Sequence, residues 1–187
     1  TRESLARQMS MVLQEPFLYS TMVRENIRYS HRDVTNEQII SAAKAVGAHD
    51  FIMTLENGYD TVLAQRGVNL SMGQRQLISF ARAIVADPRI LILDEATSHL
   101  DAVNEQQVRL ALQRLMEGRT TLVIAHRLST IQQVDRIAVL DRGRVADTGT
   151  HADLMQRGGV YAALYQQYAG GDGDGGRTGA MVREDGD

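Results

Sequence analysis

The chain contains no cysteine, so disulfides, thiol nucleophiles and cysteine-ligated zinc are excluded. Neither charge is in large excess: 20 basic against 23 acidic side chains give a formal net charge of −3. Residues 1–94 hold ten of each sign. A nucleic-acid grip usually shows as a basic patch or stripe, so no nucleic-acid partner is expected. No apolar run approaches the roughly 18 residues that read as a membrane-spanning helix. Lysine is nearly missing as well, Lys44 being the single one among the 20 basic residues. What remains is ordinary for one globular domain: 187 residues, 43% hydrophobic and 23% charged.

The chain starts at Thr1, without a signal-peptide pattern, and the apolar cluster Met9, Met11, Val12, Leu13 arrives at once. It reads as a piece of something longer. Residues 170–187 carry seven glycines in eighteen positions. Such a segment cannot bury enough apolar area to offset its ordering entropy, and disorder is expected there. Between these ends, Ile90–Leu93, Thr121–Ile124 and Ile137–Leu140 read as short buried strands. Thr35 with Gln38 has the spacing of a capping box. Ser71 to Ala86 places Leu77, Phe80, Ala81 and Ile84 at helical intervals before Pro88 stops the run. Val103 to Met116 repeats the pattern with Val108, Leu112 and Leu115, and Gly118 closes it. Thr150 with Asp153 marks another helix start. This alternation implies an α/β fold with a mostly parallel sheet flanked by helices.

Chemistry concentrates where Ile90-Leu91-Ile92-Leu93 ends in Asp94 and Glu95. Ligands of open α/β sheets bind beyond the carboxyl ends of strands. One carboxylate there can hold Mg²⁺ and a second can orient an attacking water. A strand ending on a helix-capping Asp would read the same way. Upstream, Leu70-Ser71-Met72-Gly73-Gln74-Arg75-Gln76 sets a hydroxyl and a glycine at the start of a long helix. Free N–H groups and the positive dipole end make such a start a phosphate site. An ordinary serine N-cap is the alternative.

Together these segments resemble the ATPase domain of ATP-binding cassette (ABC) transporters. Leu70–Gln76 resembles the family's signature motif, Ile90–Glu95 its Walker B motif, and Ala96 to Asp101 its D-loop. Val12-Leu13-Gln14-Glu15-Pro16 resembles the Q-loop, and Val123 to Arg127 the switch region carrying His126. Gln65-Arg66-Gly67-Val68-Asn69 resembles the short loop by which exporters meet their membrane helices, and Arg24-Glu25-Asn26-Ile27 adds to the exporter pattern of the multidrug and lipid type. The likeness covers about residues 5 to 168. Two positions depart from the family: Met72 stands where glycine is commonest, and Gln65 where glutamate is usual.

The resemblance implies a P-loop NTPase-like domain over residues 1–169, with an α-helical signature subdomain over about 17–87. It also implies that ATP with Mg²⁺ sits between two such domains packed head to tail. Asp94 and Gln14 would contact the metal, Glu95 would polarise the water, and His126 would steady the γ-phosphate. Ser71 and Gly73 would serve the nucleotide held across the dimer, and Gln74 and Asp101 would also be nucleotide-binding. The partners implied are a second nucleotide-binding domain and transmembrane domains on the same full-length chain, at the cytoplasmic face of the membrane. The phosphate-cradling G-x-x-x-x-G-K-[ST] is missing, because Lys44 lies in Ala42-Ala43-Lys44-Ala45. The N-terminal part of the core, with that motif, is therefore expected outside this sequence, and the isolated chain is expected to be inactive. Two rival functions are a non-transport ABC ATPase of DNA repair or chromosome structure, and a regulatory module without hydrolysis. The first would need coiled-coil arms; the second usually loses the carboxylate that Glu95 supplies. Truncating the parent protein after Ala169 should change its ATPase rate by less than about tenfold, roughly 1.4 kcal/mol, as measured by phosphate release.

Overall fold

A computed structural model of the chain describes residues 4–5, 8–29, 31, 33–94, 102–125, 131–132 and 134–171. Two compact units divide it, Thr1–Ile124 and Ala125–Asp187.

The first unit is built on three parallel strands, β1 (Met9–Val12), β2 (Ile90–Asp94) and β3 (Thr120–Ile124), in the order β1-β2-β3. Parallel neighbours cannot be joined by a tight turn and need a crossover. The β1–β2 crossover contains α1 (Val23–Arg28), α2 (Asn36–Ala45), α3 (His49–Thr54) and α4 (Met72–Val85), with single 3₁₀ turns at Gly58–Asp60 and Gln65–Gly67. The β2–β3 crossover contains α5 (Ala102–Met116).

Local chemistry sets the helix boundaries. Thr35 Oγ1 accepts from the Gln38 N–H at 3.3 Å, while Gln38 Oε1 accepts from the Thr35 N–H at 2.8 Å. This closes the capping box that their spacing predicts. Gly118 follows α5 at φ +70°, a conformation that side chains with a Cβ resist. At its far end α2 is held by α5: Arg114 donates to the Ala45 carbonyl and Gln107 to that of Gly47, each at 3.0 Å. Two carbonyls at this helix terminus thereby gain partners.

Strand alternation sends Val12, Leu91 and Leu93 to one face of the sheet. They join one core with Leu77, Ile78, Phe80 and Ala81 of α4 and Val108, Ala111 and Leu115 of α5. Each large side chain so buried contributes about 1.5–3 kcal/mol. The opposite face carries Met11, Ile92 and Leu122 side by side in register, and Met11 and Leu122 are 53% and 60% exposed.

The second unit differs from the parallel pattern expected for Ile137–Leu140. That segment is β4 (Ile137–Asp141), and it pairs antiparallel with β5 (Arg144–Gly149). The cause is the two-residue turn Arg142-Gly143, with φ of 46° and 73°. Two consecutive positive values give the hairpin turn whose twist matches the flanking strands. β5 escaped the sequence reading because Arg144-Val145-Ala146-Asp147-Thr148-Gly149 has no apolar run. Leu154 of α6 (His151–Arg157) packs with Val139 and with Tyr161 of α7 (Val160–Gly171). A hydrogen bond from the Thr150 hydroxyl holds the Asp153 carboxyl below its ordinary pKa. The helix start expected at Thr150 is closed as a capping box by two backbone donors: the Asp153 N–H donates to Thr150 Oγ1 at 3.2 Å and the Thr150 N–H to Asp153 Oδ2 at 3.4 Å. α7 runs through Gly171, two residues into the expected disordered tail; residues 172–187 lie outside the described residues.

One glycine in the first unit is required by both conformation and space. Gly67 has φ +67°, and a Cβ there would lie 3.0 Å from Leu18 Cδ1 and 3.3 Å from Arg75 Cδ. Leu18 is fully buried. Gly67→Ala should therefore lower stability by about 1–3 kcal/mol, read as a fall in the urea unfolding midpoint of this chain.

Candidate functional site

Two of the sequence-predicted residues that lie among the described ones, Gln14 and Asp94, stand at the carboxyl edge of the parallel sheet. β1 ends at Val12, and Gln14 follows two positions later, exposed. β2 ends at Asp94, half-buried and level with Ile124 of β3. Alternation puts Asp94 on the sheet face opposite Leu93, the face not occupied by the core. Glu95 is the next residue in sequence and His126 comes two after Ile124. Glu95, Asp101 and His126 themselves lie outside the described residues. Among the described residues no group of three or more carboxylates and imidazoles could hold a metal. Mg²⁺ is commonly held by one or two carboxylates together with substrate phosphates and does not need such a cluster.

The signature-like segment forms the first turn of α4. Ser71 is its N-cap, and its Oγ accepts from the Gln74 N–H at 3.2 Å. Gln74 Oε1 accepts from the Ser71 N–H at 2.9 Å, so each side chain is occupied with the other residue's backbone N–H. Gly73 is buried within that turn. Arg75 braces the approach by donating to the Leu70 carbonyl at 2.7 Å. Farther along, the Gln76 amide donates to the carbonyl of Gln14 at 3.3 Å, bringing α4 and the Gln14 segment together.

A second set of residues was not recognised from sequence as a unit. Asn26 on α1 is fully buried. Its Oδ1 accepts from the Tyr19 N–H at 2.8 Å and from Arg82 at 3.2 Å. Its Nδ2 lies 3.0 Å from the Tyr19 carbonyl and 3.2 Å from that of Met22. Arg82 of α4 also donates to the Asn26 carbonyl at 2.8 Å and to the Phe17 carbonyl at 3.0 Å. Burial draws its pKa down, opposed by Tyr29 and Tyr19. The guanidinium lies 4.9 Å from the centroid of the Tyr29 ring. Over this polar knot sits an exposed aromatic patch. Phe17, Tyr19 and Tyr29 are 48%, 43% and 51% exposed, with centroids 4.9 Å and 5.6 Å apart along the series. The Tyr29 hydroxyl, 3.3 Å from that of Tyr19, raises the Tyr19 pKa. Gln76 and Arg82, polar residues set within the apolar run of α4, were the available signal.

The sequence profile described as ABC transporter matches residues 1–98. The chain belongs to the ABC transporter family. It is 52% identical over 166 residues to an uncharacterized ABC transporter ATP-binding protein of Bacillus subtilis (strain 168), a match covering 89% of this chain and 28% of that protein. It is also 52% identical over 163 residues to the ATP-dependent lipid A-core flippase of Syntrophus aciditrophicus (strain SB), covering 87% of this chain and 27% of the flippase. The structure of a bacterial Atm1-family ABC exporter with ATP bound superposes with a TM-score of 0.80 at 40% identity. That match covers 90% of this chain and 30% of the exporter. The fold is the ABC ATPase fold, and the similarity is to the ATP-binding parts of ABC exporters. The chain spans between a quarter and a third of each of these three proteins.

Asn26 is the residue on which this polar knot is tested most directly. Asn26→Ala strips partners from Tyr19, Met22 and Arg82 at once. Leaving buried polar groups unpaired costs about 1–3 kcal/mol each before water enters. A net loss of about 2–4 kcal/mol is expected in urea unfolding. Asn26→Asp keeps an acceptor for the Tyr19 N–H and Arg82 but turns an oxygen toward the carbonyls of Tyr19, Thr21 and Met22, so it too should lower the unfolding midpoint.

Proposed function

We propose that this chain is the ATP-hydrolysing part of an ABC exporter, coupling hydrolysis to movement of a substrate across a membrane. The observation that carries this reading is the shared sheet edge of Gln14 and Asp94, with α4 hydrogen-bonded to the Gln14 carbonyl. That arrangement puts a carboxylate and an amide at the carboxyl ends of neighbouring parallel strands, where nucleotides bind in open α/β sheets.

In this reading Asp94 and Gln14 hold Mg²⁺, which supplies charge neutralisation at the phosphates. Glu95 orients the attacking water as a hydrogen-bond acceptor, and His126 donates toward the γ-phosphate. Ser71 and Gly73 serve a nucleotide held by a second nucleotide-binding domain, and Gln74 and Asp101 complete the nucleotide-binding set. Ser71 and Gln74 would have to exchange their mutual capping bonds for phosphate contacts, a local change at the helix start. Catalysis of this kind is positioning plus stabilisation of developing charge.

The exposed Phe17–Tyr19–Tyr29 patch and the neighbouring loop Gln65–Asn69 are the surfaces on which membrane-spanning domains would press, at the cytoplasmic face. Among the described residues no helix is long and apolar enough to cross a membrane, so the spans belong to other parts of the transporter in this reading. The phosphate-holding lysine is likewise supplied from elsewhere, since Lys44 is flanked by alanines on α2.

Glu95→Gln tests the reading in the full-length transporter. It keeps the side chain's size and removes the charge that orients water. Phosphate release should fall by about 100-fold or more while ATP binding persists and an ATP-locked dimer accumulates. Hydrolysis at the wild-type rate would overturn the assignment. The isolated 187-residue chain, assayed alongside, should release negligible phosphate.

A further inference from the structure

Helix α4 begins at the signature turn and ends against the aromatic patch. Ser71 and Arg82 are about three helical turns apart on it. Two side chains attach this helix to the segment that follows β1. Gln76 holds the Gln14 carbonyl, and Arg82 holds the Phe17 carbonyl. The attachments are six residues apart, about 9 Å along the axis. One attachment would leave the helix free to pivot about it; two fix both its position and its tilt relative to residues 14–17. Arg82 adds a third direction by bonding the backbone and the side-chain oxygen of Asn26. Asn26 in turn holds both backbone groups of Tyr19. A planar guanidinium can satisfy these acceptors together because its donors are held in a rigid fork, whereas an ammonium acts as a single point.

We infer that Arg82 is a positioning residue of the transporter, locking the helix that carries Ser71 and Gly73 to the Phe17–Tyr19 segment. Displacement of the exposed aromatic patch then reaches the signature turn as one rigid motion. This rests on the function proposed above, and it adds a role that neither the signature nor the Q-loop residues fill. Arg82 itself touches no nucleotide in this account. Its loss should leave ATP binding intact and impair the alignment of Ser71 and Gly73.

The test uses the full-length transporter in lipid nanodiscs, with ATP KM and kcat measured per folded molecule. Arg82→Gln should lower kcat by about tenfold and leave KM for ATP within about twofold. Arg82→Lys, which keeps the charge and one attachment, should fall between it and wild type; it carries the test if Arg82→Gln does not fold. Ile52→Ala is the control, because Ile52 is fully buried on α3. It should lower the thermal midpoint yet keep kcat within about twofold of wild type. Equal kcat in the Arg82 variants and Ile52→Ala, compared at matched thermal stability, would reduce Arg82 to a stabilising residue and overturn the inference. A rise in KM as large as the fall in kcat would overturn it too, by placing Arg82 in ATP binding. Glu95→Gln is run beside them. If it is inactive while Arg82→Gln behaves like Ile52→Ala, only the positioning role fails. If Glu95→Gln hydrolyses ATP normally, the function proposed above fails and the positioning role fails with it.

Discussion

Burial of the apolar side of α4 is the constraint on which the first unit depends. Leu77, Ile78, Phe80 and Ala81 lie in one core with Val12 of β1, Leu91 and Leu93 of β2 and the inner side of α5. Hydrophobic burial is non-directional. It can hold α4 against the sheet without specifying how far the helix slides or turns there. The hydrogen bonds of Gln76 and Arg82 supply that specification, since each acceptor lies on a different part of the chain. Non-directional packing brings the elements together, and directional polar bonds set their register.

The same division explains the cost of the Asn26–Arg82 knot. A buried amide and a desolvated guanidinium are unfavourable unless every strong donor and acceptor finds a partner. Here the partners are main-chain groups of Phe17, Tyr19, Met22 and Asn26. The irregular backbone after β1 has no sheet ladder to satisfy it. Polar side chains from α1 and α4 do so instead, and the aromatic rings of Tyr19 and Tyr29 are thereby held at the surface rather than withdrawn into the core.

Strand register sets which side chains share the face of the sheet opposite the core. Met11, Ile92 and Leu122 are neighbours on it, and Asp94 extends the Ile92 side of β2 toward the carboxyl edge. Parallel sheets in α/β proteins normally have both faces covered.

Short-range signals in the chain were enough for much of this. Capping boxes at Thr35 and Thr150, the stop after α5 at Gly118 and the strand at Ile90–Leu93 involve residues only a few positions apart, so their chemistry is local. The motif order from Gln14 to His126 was enough to point to the ABC transporter family, because each motif is contiguous. Antiparallel pairing of β4 with β5 was not legible, because it turns on backbone angles at Arg142-Gly143 in a segment without apolar alternation. Nor was the bond from Arg82 to Phe17, 65 residues apart. A helical arginine reads as solvated until the fold shows what lies over it. Only the folded chain decides such contacts, because burial depends on which distant segment arrives, and no local pattern encodes that.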